Sequence, residues 1–188
     1  MGVVENPQQY GSSTLLSAPK ASALYALKLS GAGSTTATFT ADSFITQTIA
    51  TGSTAVGRVV SYDQTTGVLK YWQDKSLVGF NSDGSLKTDP TYGYSLHAFT
   101  ANPTTGGSVN IASNEGTLGI DTNFGTTASP GISTVINNRT YYLGQSFTQG
   151  VSNPEVKKYS GNIIYVDNRP SITRSVNQKE DIKVILQF

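Results

Sequence analysis

The chain has 188 residues, and only 13% of them are Asp, Glu, Lys or Arg, about half the share usual in globular domains. Its formal net charge is +1, with a single histidine and no cysteine. Disulfides and thiolate metal sites are therefore excluded, and nothing favours phosphate-backbone binding as a main function, so no nucleic-acid partner is expected.

Gly, Ser, Thr and Asn take the place of the missing charges, a profile of β-rich extracellular, adhesive or virion proteins. No apolar run approaches the about 20 residues of a membrane span, so no membrane insertion is expected. The opening "MGVVENPQQYGSS" has neither the basic nor the apolar region of a signal peptide. Residues 1–24 read as an irregular arm of a single β-rich domain covering residues 1–188.

In chain order, the Pro, Lys and Ala content from Pro19 to Leu27 leaves room for one short helix. The overlapping stretch "ALYALKLSG" alternates like a strand, with Tyr25, Leu27 and Leu29 on one face and Ala26 and Lys28 on the other. "ATFTADSFITQTIATG" is Thr-rich and carries Phe39, Phe44, Ile45 and Ile49, residues that suit a pleated, half-buried surface. "GRVVSYDQTTGVLKYWQD" predicts a β-hairpin. Val60 and Tyr62 alternate with Val59 and Ser61, and Leu69, Tyr71 and Gln73 alternate with Val68, Lys70 and Trp72. Asp63 opens the turn by hydrogen-bonding its own backbone, and Gly67 supplies a positive φ.

From Phe80 to Asp121 turn chemistry dominates ("NSDGS", "TDPTYGY", "NPTTGGS"), with short strands expected at Ser95–Phe99 and Ser108–Ala112. "NFGTTASPGIS" reads as an exposed loop, followed by strand-like "STVINNRTYYLGQSF". The sum is a mainly β domain of short strands and long, hydroxyl-rich loops.

Motifs for chemistry are few. His97 lies inside the alternating run "YSLHAF" without a nucleophile-elbow pattern, and zinc needs several imidazole or thiolate ligands. "NSDGS" lacks the later acidic residue that completes a calcium cage, and neither "GAGS" nor "GG" sits in a phosphate-loop context. No catalytic residue, metal ligand or cofactor site is therefore assigned.

Charge gathers only at the C-terminal end, in "GNIIYVDNRPSITRSVNQKEDIKVILQF". Ile163, Tyr165 and Asp167 alternate with Ile164 and Val166 in one strand. Ile182, Val184, Leu186 and Phe188 share one face of a second, which is expected to be pinned in a core or an interface. The loop between them carries Arg169, Arg174, Glu180 and Asp181. Either the arginines bridge to Glu180 or Asp181 and fix the loop, or the same residues contact a partner.

The stretch "YSGNIIYVDNRPSITRSVNQKEDIKVILQF", with "GRVVSYDQTTGVLKYWQDKSLVGF" and "NNRTYYLGQSFTQGVSNPEVKKYSG" upstream, resembles a baseplate wedge protein of T-even-like contractile-tailed phages, of cyanophage type. The similarity runs from about Tyr25 onwards. Such wedge proteins are usually longer, so on the resemblance the chain is a C-terminal portion, a shortened member, or a chain whose first portion is encoded separately. It implies a non-enzymatic, β-sandwich-like building block without cofactors, homodimeric and docked to other baseplate wedge proteins. Its place would be the virion's tail baseplate, after assembly in the host cytoplasm. On that resemblance Arg169 and Arg174 pair with acidic groups of a neighbour during tail assembly and contraction. The composition also fits a receptor- or glycan-binding tail-fibre or adhesin domain. A hydrolase is disfavoured by the lone His97 and the lack of paired acids.

Overall fold

A computed structural model describes residues 2–17, 21–74, 76–77, 96–127, 129 and 131–166. Its strands are β1 (Gly2–Glu5), β2 (Tyr25–Lys28), β3 (Phe44–Ala50), β4 (Ser53–Asp63), β5 (Val68–Trp72) and β6 (Asn110–Ser113). They continue with β7 (Gly116–Gly119), β8 (Ser133–Ile136), β9 (Arg139–Tyr142), β10 (Val151–Ser152) and β11 (Asn162–Val166). Every pairing between them is antiparallel, and no α-helix occurs among the described residues. The protein is a mainly β, single small domain, as its alternating patterns predict. The short helix that the sequence left open is absent at Tyr25–Leu27, which belong to β2. Period two is what buries Leu27 and Leu29 together.

The β4–β5 hairpin forms as predicted. The Asp63 carboxylate accepts the Thr65 N–H at 2.9 Å and the Thr66 hydroxyl at 2.7 Å, while Gly67 adopts φ +70°. One detail departs from simple alternation. Register shifts between Val59 and Ser61, so Val60 bulges outward. The extra residue changes the phase of the strand, and both Val59 and Tyr62 reach the core, where Tyr62 meets Phe39 edge-on at 5.0 Å.

The main sheet runs β10-β2-β5-β4-β3-β6-β7. Its ends meet. The outer edge of β2 pairs with β10 at Ala26 and Leu27, and just beyond, it takes up the chain that follows β7. There Ser30 N–H donates to the Gly119 carbonyl and Asp121 N–H to the Lys28 carbonyl, each at 2.8 Å, and Leu29 bridges Ile120. A single sheet thus supplies both layers of a sandwich-like packing. Leu27, Ile45, Val59, Leu69, Ile111 and Leu118, from six strands, share the core it encloses. Tyr71 lies at the centre, stacked on Tyr25 at 5.4 Å and edge-on to Phe99 at 4.8 Å.

The other face of β2 and β5 carries a smaller cluster of Ala26, Val68, Phe124, Leu143 and Phe147. Phe124 belongs to "NFGTTASPGIS", which is therefore not a wholly exposed loop. A large aromatic beside bare sheet is buried against Phe147 at 5.6 Å. The expected strand ending at Phe99 is not formed over residues 96–99. Buried glutamines take the place of its ladder. Gln73 Nε2 donates to the Val56 and His97 carbonyls at 2.8 and 2.9 Å. Gln47 Nε2 donates to the Thr100 and Ser108 carbonyls at 2.7 and 3.0 Å, and its Oε1 accepts the Thr100 N–H at 2.8 Å. Side-chain amides that both donate and accept let irregular backbone be buried without orphaned groups.

Residues 2–17, read as an irregular arm, contain β1, which pairs with β11 as a separate two-stranded ribbon. A third unit is the β8–β9 hairpin, whose turn residues Asn137 and Asn138 take φ +50° and +61°, the left-handed pair that a tight two-residue turn requires.

Candidate functional site

Asp167, Arg169, Arg174, Glu180, Asp181 and Phe188 lie outside the described residues, as do their loop and the last predicted strand. The described part of that block is β11, which sequence alternation identified, and β11 finds its partner at the opposite end of the chain. Gly2 pairs with Val166, Val3 with Tyr165, Val4 with Ile163 and Glu5 with Asn162. This ribbon is apolar on both faces. Ile163 and Ile164, which point to opposite sides, are 71% and 64% exposed, and Val3, Val4, Tyr165 and Val166 are each about half exposed.

The base of the ribbon is tied firmly to the domain. Gln8 N–H donates to Ser160 Oγ at 2.9 Å, and Lys157 N–H to the Gln8 carbonyl at 2.8 Å. Glu155 extends the tie to the segment just before β2, donating its N–H to the Ser22 carbonyl at 2.7 Å and accepting the Ser22 N–H on its carboxylate at 2.8 Å. A second anchor joins the same segment to the end of β5. Lys158 Nζ donates to Asp74 Oδ2 at 3.0 Å and to the Gln73 carbonyl at 2.7 Å, and the Tyr159 hydroxyl donates to Asp74 Oδ2 at 3.1 Å. The Ser76 N–H, then Lys158 and Tyr159, hold the Asp74 carboxyl well below its ordinary range. Tyr159 keeps this place in a left-handed backbone conformation, φ +59°, unusual for a bulky residue.

A second feature had no sequence signal. An open cleft of about 670 Å³ lies where the sheet closes on itself. It is lined by the end of β2 and the following turn (Lys28, Ser30), the β4–β5 turn (Gln64, Thr66), Asp121, and the β8–β9 hairpin (Thr134). The Lys28 ammonium sits 5.4 Å from the centre of the Phe124 ring. Burial pushes it below the ordinary lysine value, and the Asp121 carboxylate opposes that shift. These residues are far apart in the chain, and only the closing of the sheet brings them together.

His97 lies in the loop that Gln73 pins, and its own carbonyl accepts the Gln73 amide. Among the described residues no group of three His, Asp or Glu side chains is arranged to hold a metal ion, and no helix is long and apolar enough to cross a membrane. "NSDGS" lies outside the described residues. Comparisons with protein-family models, with curated proteins and with solved structures find no match to this chain.

Proposed function

We propose that the protein is a structural component of a contractile phage-tail baseplate wedge, docking neighbouring wedge subunits during tail assembly and contraction and carrying no enzymatic activity. The observation that carries this reading is the β1–β11 ribbon. Two short strands are marginal alone in water, and contiguous exposed apolar surface marks an interaction site. The ribbon leads directly into the C-terminal block whose sequence resembles wedge proteins. Its rigid base, built from Glu155, Lys157, Lys158 and Ser160, gives a partner a fixed surface rather than a loose arm. A second copy of the chain and the neighbouring wedge proteins are the partners this reading names, and the virion baseplate is the place.

The test is a double substitution, Ile163→Lys with Ile164→Lys, which puts a charge on each face of the ribbon. Exposed side chains of this kind change stability by less than about 1 kcal/mol. The expected outcome is a folded protein that no longer co-purifies with co-expressed wedge subunits and sediments as a smaller species than the unaltered chain. Unchanged assembly by the double variant would overturn the docking role.

A further inference from the structure

We propose that the cleft between Lys28 and Asp121 binds a neutral, hydroxyl-rich ligand, a saccharide unit, in which sugar hydroxyls bridge the ammonium and the carboxylate. Its volume, about 670 Å³, falls within the range of small-molecule sites.

The charges decide the ligand class. Lys28 and Asp121 are backbone neighbours, joined by the Asp121 N–H to Lys28 carbonyl bond at 2.8 Å, yet their side chains form no ion pair. The ammonium instead sits over the Phe124 ring, 5.4 Å from its centre, and close to Gly67, where an added Cβ would lie 3.3 Å from Nζ. Among the described residues neither charged group has a hydrogen-bond partner for its side chain. A partly desolvated cation without such partners is unfavourable, and a ligand oxygen would relieve it.

A phosphate or carboxylate ligand would meet the Asp121 carboxylate, and a cationic ligand would meet Lys28. A neutral ligand bearing both donors and acceptors satisfies the two at once. Ser30, Gln64, Thr66 and Thr134 also line the cleft. The Ser30 and Thr66 hydroxyls and the Gln64 amide N–H already donate within the protein, to Gly119, Asp63 and Thr35, so toward a ligand the two hydroxyl oxygens serve as acceptors. No aromatic ring is among the described lining residues. Binding therefore rests on hydrogen bonds and falls in the millimolar range. This inference does not rest on the assembly role, since none of the described residues lining the cleft belongs to the β1–β11 ribbon.

The experiment is a titration of the isotope-labelled full chain, followed by NMR, with the methyl glycosides of glucose, galactose, mannose and N-acetylglucosamine. Inorganic phosphate is titrated in parallel. Saturable shifts confined to residues around Lys28, Thr66, Asp121 and Thr134, with at least one glycoside, are expected. Asp121→Asn and Lys28→Met each weaken that binding roughly tenfold or more. Thr134→Ala, on the exposed hairpin, serves as a third variant should either of the others fail to fold. The inference is overturned if no glycoside shifts these residues or if binding survives in all the variants. It is equally overturned if phosphate binds instead and Asp121→Asn strengthens it. The cleft variants are expected to leave wedge co-purification intact and the ribbon variants to leave glycoside binding intact, so the two readings fail separately.

Discussion

Gly67 donates its N–H to the Asp63 carbonyl at 2.7 Å, closing the β4–β5 turn, and its own carbonyl accepts the Leu29 N–H at 2.8 Å, extending the sheet toward the point where it closes. Local turn chemistry and long-range closure therefore share one residue.

Gly67→Ala tests that coupling. The residue sits at φ +70°, and an added Cβ would approach the Leu29 carbonyl oxygen at 2.7 Å and the Ala32 Cβ at 2.8 Å. Conformational strain and contact together are expected to cost about 1–3 kcal/mol. Chemical denaturation should show this as a lower midpoint with an unchanged slope. Stability equal to the unaltered protein would mean that the turn can relax away from Leu29.

Gln47 gives a second expectation. Its amide bonds three backbone groups of the 100–108 loop from a position that is 1% exposed. Gln47→Leu leaves those groups without partners and should cost roughly 1–3 kcal/mol. Gln47→Glu is expected to be worse at neutral pH than at pH 4, because an ionised carboxylate would face two carbonyl oxygens it cannot donate to. Burial raises the folded-state pKa of that glutamate. The variant therefore gains stability relative to the unaltered chain as pH falls and the acid becomes protonated. Thermal melts across that range check the sign.

Acid should release the Asp74 anchor. Its carboxyl is depressed in the folded protein below the ordinary value of 3.8. A depressed pKa contributes stability that is fully present above the unfolded value and is lost as pH falls through the folded one. The stability of the unaltered protein should therefore drop more steeply below about pH 4 than that of Asp74→Asn. At neutral pH the variant should be slightly the less stable. Parallel acid limbs for the two proteins would show that the carboxylate's partners contribute nothing.

What the sequence made legible follows from the range of the interactions. The β4–β5 hairpin could be read because Asp63, Gly67 and the alternation of Leu69 and Tyr71 are all local. β11 could be read as a strand, but its pairing with β1 could not, since Gln8 and Ser160 meet across 152 residues. β7, Gly116–Gly119, escaped notice because its two glycines have weak strand preference, and pairing with β6 forms it instead. An added Cβ at Gly116 would lie 2.8 Å from the Ala37 Cβ, so the lack of a side chain there serves close packing. Phe124 read as part of a loop because nothing nearby announces the pocket that Phe147 and Val68 make for it. The cleft needed Lys28 and Asp121 side by side, and neither residue stands in a pattern of its own.

The seam between Ser30 and Gly119 joins residues 89 positions apart. Contacts of such separation form only after the intervening chain has ordered, because the loop-closure entropy must be met first. On the ribosome, β2 must wait for the chain that follows β7 and then for β10, and until both arrive its outer edge keeps open backbone donors and acceptors. The vulnerable interval of this protein's life is thus its synthesis. A mutation that slows the seam would be felt first as aggregation of nascent chains, before any loss of stability in the finished fold.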